Sequence, residues 1–317
     1  MHIDIIFPQI LILALLAIVG VAGSKAGVIS PEGKDILAKI VFNITLPFML
    51  LTNFSKIEVS PRLLTNSLSV LGLTCFVLFF MLFAGWLMTR LLKMKQSEAV
   101  IYKAHSALGN LVYLGFPLIF ALYGEEGLLY ASIYQIVSNL FTWTVGVIIL
   151  NQGKGSSLRH NLKHVFNLNT LAVSVGFTLF LFSIKLPLFL LEPMSGLGAC
   201  TSYLAMLYIG AILFYSKKEG LFTNYIVYIL SASKLLLVPI VIMLIFKAVS
   251  ILALLKFDSL VVSVLILQAA MPCMVNVVIM AKIFGADDEF ATTNVFVSTL
   301  LSIITLPLIL LLLGYMM

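Results

Sequence analysis

The sequence predicts an all-α polytopic membrane protein in which ten transmembrane helices form two inverted five-helix repeats. Three observations lead to this fold class. The 317 residues are 62% hydrophobic and only 10% charged, whereas soluble domains carry about 25% charged residues. The apolar residues fall into ten segments near the length that crosses a bilayer. Finally, a pattern of helix-breaking residues in the first half of the chain returns in the second half.

The charge balance and the cysteines exclude several other classes of protein. Nineteen basic residues outnumber thirteen acidic ones, but they are spread over many short loops, which is typical of membrane topology and not of nucleic-acid binding. Cys75, Cys200 and Cys273 lie in apolar segments without C-x-x-C spacing, so we expect neither a disulfide framework nor a metal site. The sequence contains no catalytic triad and no phosphate-binding loop, so we expect no enzyme activity and no cofactor.

A membrane-spanning helix needs about 20 mainly apolar residues, and ten segments meet this requirement. The first has no basic flank and contains Pro8, so it is interpreted as a span and not as a cleavable signal peptide. The segments are 4–24, 35–54, 64–91, 98–122, 127–150, 168–187, 192–215, 222–247, 259–284 and 289–314. The longest loop, Asn151–His164, has five segments on each side. This predicts a first repeat at 1–150, a cytoplasmic linker at 151–167 and a second repeat at 168–317.

The basic residues predict the orientation of the chain, because cytoplasmic loops are enriched in Lys and Arg. Loops on one side carry Lys25, Lys34, Lys39, Arg90, Lys93, Lys95, Lys103, Lys154, Arg159, Lys163, Lys217, Lys218 and Lys282. Loops on the other side carry Lys56, Arg62, Lys185, Lys247 and Lys256. Thirteen against five places the first set in the cytoplasm and both termini outside. Since each half has an odd number of spans, the second half is inverted relative to the first.

The second segment contains an amide and a proline in the run N-I-T-L-P, which extends from Asn43 to Pro47. Residues four apart lie on the same face of a helix, so Asn43 is a candidate for one wall of a substrate cavity. The structural alternative is a proline kink whose freed carbonyl is bonded by Asn43 or Thr45. The sequence leaves both interpretations open.

The fourth segment is interrupted where Gly109, Asn110, Gly115 and Pro117 occur within nine residues. Such an interruption frees backbone groups that would each cost several kcal/mol if they faced lipid, so they must line a protein-buried or watered cavity. Gly109, Gly115 and Pro117 are the predicted helix-breaking residues. Asn110, whose amide both donates and accepts hydrogen bonds, and Tyr113 are candidate substrate-binding residues.

A second interruption lies in the ninth segment, in the run L-Q-A-A-M-P-C-M-V-N. Here Pro272 is the predicted helix-breaking residue, and Gln268, Pro272 and Asn276 are candidate substrate-binding residues. Both interrupted stretches end at a glycine with acidic neighbours, and aligning Gly124 with Gly285 gives an offset of 161 residues, close to half of the chain. Paired interruptions at matching places indicate the binding site of a secondary transporter. Two ordinary proline kinks are the alternative.

Lys234 is the one charged residue well inside a predicted span, in the run S-A-S-K-L-L-L-V-P. A lysine at the centre of a membrane helix costs about 2.5–3.5 kcal/mol on insertion scales. Since no Asp or Glu lies deep in any predicted span, Lys234 suits an anionic substrate or the C-terminal dipole of a helix. Snorkelling to the interface is the alternative. The same lack of carboxylates leaves the coupling ion unpredicted.

In these motifs the chain resembles a bacterial member of the auxin efflux carrier family, which is related to the plant PIN auxin carriers. The resemblance covers essentially the whole chain. It is carried by N-I-T-L-P at Asn43, G-N-L-V-Y-L-G-F-P-L at Gly109, Y-G-E-E-G at Tyr123, K-L-L-L-V-P at Lys234 and A-A-M-P-C-M-V-N at Ala269. It implies a ten-helix inverted-repeat fold like that of bile-acid and sodium/proton transporters, in which a scaffold domain and a transport domain meet around crossed helices four and nine. It also implies a bacterial inner-membrane location and transport of small organic anions. Lys234 stands where the family often has Arg.

These observations predict a secondary transporter that moves a small organic anion or carboxylate across the membrane by alternating access. Its expected partners are that anion and the lipid bilayer, with a homodimer left open and no nucleic acid. One alternative is an anion channel, which would need a continuous pore. Another is a membrane-embedded sensor without transport activity.

Overall fold

The computed structural model describes residues 3–151, 165–215, 224–252 and 256–316. These residues are helical almost throughout, and their only extended pairing is one isolated antiparallel bridge. Most of the predicted linker at 151–167 lies outside the described residues. So do five of the basic residues used for the topology, Lys154, Arg159, Lys163, Lys217 and Lys218.

In chain order, the described α-helices are α1 (Ile3–Lys25), α2 (Pro31–Ile40), α3 (Leu46–Lys56), α4 (Pro61–Leu91), α5 (Gln96–Ala107), α6 (Phe116–Phe141), α7 (Val147–Leu150), α8 (Leu168–Leu181), α9 (Leu188–Tyr215), α10 (Tyr225–Ala232), α11 (Val238–Ile251), α12 (Ser259–Ala269), α13 (Val275–Phe284) and α14 (Asp288–Met316). In the part of the chain that the structure describes, four single π-helical turns join some of them: π1 (Val41–Thr45), π2 (Leu111–Gly115), π3 (Thr142–Gly146) and π4 (Ser233–Leu237).

Among the described residues, six helical stretches are long and apolar enough to cross a membrane, and one of them is kinked by non-helical backbone at Gly124. The chain is therefore an integral, polytopic membrane protein. The six stretches are Pro31–Lys56, Pro61–Leu91, Leu111–Leu150, Leu188–Tyr215, Tyr225–Ile251 and Asp288–Tyr315. Four shorter apolar helices are Leu11–Lys25, Leu168–Leu181, Ser259–Ala269 and Val275–Phe284. The inverted arrangement of ten helices stays a prediction.

Local chemistry explains several helix boundaries. Side chains of Asn167, Asn224 and Asp258 cap α8, α10 and α12 by accepting hydrogen bonds from backbone N–H groups of the first turn, as short polar residues do at helix starts. Three of the π turns end two residues before a proline, at Pro47, Pro117 and Pro239. Proline has no N–H, and its ring collides with the carbonyl four residues back, so the chain widens into a π turn there.

The chain forms two compact units that each combine segments of both predicted halves. The first unit comprises residues 1–69, 112–133 and 166–215, and the second comprises residues 70–111, 134–165 and 216–317. Helices α4 and α6 pass from one unit to the other. The units are therefore not the two predicted repeats, which remain a prediction about internal symmetry.

In the first unit, α9 is the central helix and packs against α1, α2 and α3. Its contact with α1 brings backbone against backbone: a Cβ atom added at Gly210 would lie 2.8 Å from the Cα atom of Gly20. Small residues allow membrane helices to approach this closely. A similar contact joins α9 to α3, where a Cβ atom at Gly198 would lie 2.8 Å from the Cα atom of Met49.

In the second unit, α14 packs against α5, α10, α11, α12 and α13. Helix α12 is buried on all sides from Val261 to Ala269. A short helix that is apolar all round belongs in the interior, and this burial places the end of α12 in the centre of the unit.

Candidate functional site

Both predicted interruptions are non-helical stretches of backbone, and they pair with each other inside the second unit. Helix α5 ends at Ala107 and α12 ends at Ala269. Gly109 and Cys273 then form an antiparallel bridge. In this bridge Asn110 N donates to Pro272 O at 2.7 Å, and Met274 N donates to Leu108 O at 3.3 Å. Backbone groups released by one helix thus satisfy those released by the other, which removes much of the penalty for breaking helices within a membrane.

The close pairing favours glycine at position 109. A Cβ atom there would lie 3.2 Å from the Cβ atom and 3.4 Å from the carbonyl oxygen of Met271. Glycine permits this close approach of two backbones because it has no side chain. Pro272 lies in the other interruption. Its lack of an N–H does not affect the pairing, because only its carbonyl oxygen takes part in the bond from Asn110.

Side chains from two neighbouring helices bind the second interruption. Ser298 on α14 accepts a hydrogen bond from Cys273 N at 3.0 Å. The Nε2 atom of His105 on α5 lies 3.4 Å from Met274 O. His105 is completely buried, so its contact is with the backbone of the interruption and agrees with the structural role that a lone histidine usually has.

Lys234 lies in π4 and is only 1% exposed. Its Nζ atom donates to the carbonyl oxygen of Ser106 at 3.2 Å. Ser106 is in the last turn of α5, where unsatisfied carbonyls carry partial negative charge. Among the described residues, no carboxylate lies within ion-pair distance of Lys234. The ammonium therefore binds a helix C-terminus but is not neutralised by an acidic side chain.

The other predicted site residues are divided between the two units. Asn110, Gln268 and Pro272 are buried in the second unit, and Asn276 is half-buried in the first turn of α13. Four of the predicted residues there, Asn110, Gln268, Pro272 and Lys234, thus belong to the buried interior. They surround or directly form the paired interruptions.

In the first unit, Asn43 is exposed in π1, and Tyr113 is half-buried in π2. The Tyr113 hydroxyl donates to Ala38 O at 3.4 Å, and its ring centroid lies 4.7 Å from that of Tyr208. Gly115 and Pro117 are buried at the change from π2 to α6. They follow the open stretch at 108–110, so they shape the helix that resumes after it.

Sequence reasoning missed Asn294, a polar residue near this part of the second unit. Asn294 lies on α14, one turn before Ser298, and it is 0% exposed. Neither its amide oxygen nor its amide nitrogen has a hydrogen-bond partner among the described residues, and the same holds for Gln268. The sequence pattern that could have identified Asn294 is its four-residue spacing with Ser298 and Ser302, which puts three polar side chains on one face of an apolar helix.

The chain is similar to a known family and to transporters from two archaea. A family model for membrane transport proteins matches residues 5–161 and again residues 156–310. An uncharacterized transporter of Methanocaldococcus jannaschii is 25% identical over 304 residues, covering 94% of this chain and 96% of the relative. An uncharacterized transporter of Methanothermobacter thermautotrophicus is 24% identical over 317 residues, covering 94% of this chain and 95% of the relative.

Together, the two matches of the family model cover nearly the whole chain and meet at the long central loop. The broken helices and the buried polar residues described above lie within the matched segments. The chain therefore belongs to the membrane transport protein family, as an auxin-efflux-carrier-like member, and it is a membrane transporter rather than an enzyme.

Proposed function

We propose that this chain is a secondary transporter that moves a small organic anion by alternating access, with a binding site at the paired interruptions of the second unit. The observation that carries the proposal is the environment of Lys234. A buried ammonium lies beside two broken helices and contacts a backbone carbonyl of Ser106. Paired broken helices are where secondary transporters bind their substrates.

The charge of Lys234 favours an anion. A buried charge without a counter-ion is strongly unfavourable, and a well-placed opposite charge restores much of the lost stability. One backbone carbonyl provides a partial charge, whereas a substrate carboxylate would provide a full one. The amides of Asn110, Gln268 and Asn276 can donate to the same carboxylate, and Gln268 has no partner among the described residues.

Asn43 and Tyr113 lie in the first unit, in π turns that precede a proline. Single π turns are frequent at functional sites. The substrate-binding roles of these two residues stay predictions from the sequence, and the charge-pairing role at the proposed site is assigned to Lys234.

Counterflow in proteoliposomes tests the proposal. Purified protein is reconstituted into liposomes loaded with an unlabelled carboxylate from a panel of mono- and dicarboxylates, and uptake of the labelled form is measured. We expect saturable counterflow for at least one acid. Lys234→Met, which keeps an unbranched side chain only one atom shorter and removes the charge, should lower that flux at least about tenfold, as loss of a charge-assisted hydrogen bond does.

Lys247→Gln on α11 is the matched control, because Lys247 is exposed on the helix that follows π4. Its flux should equal that of the unaltered protein. Equal flux in the Lys234→Met variant would remove the proposed role of that residue. Currents that do not saturate with anion concentration would indicate a channel in place of a transporter.

A further inference from the structure

The first unit contains a cavity that is separate from the paired interruptions. Its volume is about 280 Å³, and all of its lining residues belong to the first unit. Helices α1, α3, α6 and α9 each contribute one face to it. Typical sites for small molecules occupy about 300–1,000 Å³, so this cavity is suited to one small ligand.

The wall formed by α3 changes from apolar to charged along its length. Met49, Thr52, Asn53 and Lys56 line the cavity, and their spacing of three and four residues places them on a single face of the helix. The other walls are mainly apolar or small, and Ser202 and Tyr203 add two hydroxyl groups from α9. The apolar or small lining residues are Ile12, Leu13, Leu16, Pro117, Phe120, Ala121, Gly198 and Ala199. The cavity is therefore amphipathic, with the charged Lys56 at the C-terminal end of α3.

A cationic position is formed by Lys56. Its Nζ atom donates to the hydroxyl oxygen of Ser195 at 2.9 Å. No carboxylate of the described residues lies within ion-pair distance of Lys56. An ammonium next to a hydroxyl is a suitable pair of donors for a carboxylate.

An anionic position lies on the same cavity at Glu125. Its neighbour Glu126 forms an ion pair with Arg62 at 3.1 Å, but Glu125 has no cationic partner among the described residues. Asn53 donates from Nδ2 to the Glu125 carbonyl at 3.1 Å, and its Oδ1 atom accepts no hydrogen bond there. Glu125 follows Gly124, whose positive φ of 62° turns the chain at this point. Two acceptors, one of them charged, are thus adjacent.

We propose that this cavity binds a free amino acid with an apolar side chain. The ligand's carboxylate contacts Lys56 and Ser195, and its ammonium contacts Glu125 and Asn53. Its side chain lies against the apolar parts of the cavity. Lys56 and Glu125 line one cavity without pairing with each other, and a zwitterion provides a counter-charge for both. A simple acid or a simple amine would leave one of the two charges without a partner.

A comparison of three ligands tests this assignment directly. L-leucine carries both charges, 4-methylpentanoate lacks the ammonium, and 3-methylbutylamine lacks the carboxylate. Binding of each is measured by equilibrium dialysis on the full-length protein in phosphatidylcholine nanodiscs. Leucine should bind at least about tenfold more tightly than either analogue, because each analogue loses a charge-assisted hydrogen bond. Equal affinities for the three ligands, or no binding of leucine, would overturn the proposal.

Two variants should distinguish the contacts of the ligand's carboxylate from those of its ammonium. Lys56→Gln should weaken leucine and 4-methylpentanoate at least about tenfold and leave 3-methylbutylamine unchanged. Glu125→Gln should weaken leucine and 3-methylbutylamine and leave 4-methylpentanoate unchanged. Lys185→Gln is the control, because Lys185 is an exposed lysine that pairs with Glu58 outside the cavity. Variants that weaken all three ligands equally would contradict the assignment.

Two further comparisons identify the site at which leucine binds and the kind of ligand that the cavity accepts. Leucine should bind equally well to the Lys234→Met variant, since Lys234 belongs to the other site. If this variant no longer bound leucine, the leucine site would instead be assigned to the paired interruptions. Failure of the transport proposal would therefore leave this result unaffected. Phosphatidylethanolamine also carries a phosphate and an ammonium, so nanodiscs containing it are compared. Unchanged leucine affinity supports a free amino acid, whereas displacement by this lipid assigns the cavity to a lipid headgroup.

Discussion

At Gly109 the lack of a side chain lets two backbones pair in the interior of the second unit. The bridge to Cys273 and the bond from Asn110 N to Pro272 O lie at this close approach. Ser298 on α14 then accepts a hydrogen bond from Cys273 N in the second interruption. Each of these residues supplies or frees a single hydrogen-bonding group, so the geometry of the interruptions is determined atom by atom.

Substitution of Gly109 tests how much the pairing contributes to stability. Gly109→Val adds a branched side chain where even a Cβ atom would lie 3.2 Å from that of Met271. Overpacking of this kind typically costs about 1–3 kcal/mol. We expect a lower midpoint of thermal unfolding in detergent and reduced counterflow.

Gly72→Val is the matched control for this substitution. Gly72 is an exposed glycine of α4, and an added Cβ atom would meet nothing within 4 Å. Its unfolding midpoint should remain close to that of the unaltered protein. Equal midpoints for the two variants would show that the close approach at Gly109 is not required for stability.

Some residues of the candidate site could be predicted from the sequence because they contrast with their surroundings. Lys234 and Gln268 are polar residues in apolar runs, and Gly109 and Pro272 are poor helix formers. Asn294 was not distinguished in this way, because it follows other polar residues at the start of the last span. Its burial depends on the packing of α14 against α12 and α13, which is a contact between distant parts of the chain.

At the scale of the helices, the two interruptions could be predicted from the sequence, whereas the π turns could not. The fourth and ninth segments could be predicted to break, since each combines a helix-disfavouring residue with polar neighbours. The three π turns that precede a proline could not be distinguished from ordinary proline kinks, because a proline removes the same hydrogen bond in both cases. Segments 98–122 and 127–150 were predicted as separate spans. In the structure the stretch Leu111–Leu150 is divided by non-helical backbone at Gly124, between these two segments, and the assignment of two separate spans stays a prediction.

The contact between α1 and α9 is the clearest test of packing between helices. Gly210→Val places a side chain against the Ala17 carbonyl and within 2.8 Å of the Gly20 Cα atom. Backbone cannot move aside as a flexible side chain can, so we expect destabilisation of about 3 kcal/mol, at the upper end of overpacking effects. The measurement is thermal unfolding of the purified protein, monitored by loss of monodisperse material.

Gly196→Val, on the same helix, serves as the comparison. Gly196 is exposed, and an added Cβ atom there would meet nothing within 4 Å. Since both variants add the same side chain to α9, the difference between them isolates the contact with α1. Similar unfolding midpoints would indicate that α1 and α9 separate readily.

At the scale of the whole molecule, the compact units do not follow the order of the chain. The predicted repeats are consecutive, at 1–150 and 168–317, whereas each compact unit takes segments from both. Hydropathy identifies spans one after another but contains no information about which spans share contacts. Internal symmetry and compactness are therefore separate properties, and only the first can be read from a repeated motif.

The predicted orientation of the chain can be tested on the two ends of α4. This helix has 31 residues, so at 1.5 Å per residue it is about 46 Å long, which exceeds the hydrocarbon core of about 30 Å. Its two flanking loops must then lie on opposite sides of the membrane. The excess of Lys and Arg predicts that the loop containing Glu58 is outside and the loop containing Lys95 is cytoplasmic.

Single cysteines at these positions distinguish the two orientations. In a background that lacks Cys75, Cys200 and Cys273, Glu58→Cys should react with a membrane-impermeant maleimide in intact cells. Lys95→Cys should react only after the cells are permeabilised. Both positions are exposed, so a lack of labelling before permeabilisation reflects the membrane and not burial in the protein. The opposite pattern would reverse the topology, place both termini in the cytoplasm, and put the amino-acid cavity at the C-terminal end of α3 on the cytoplasmic side.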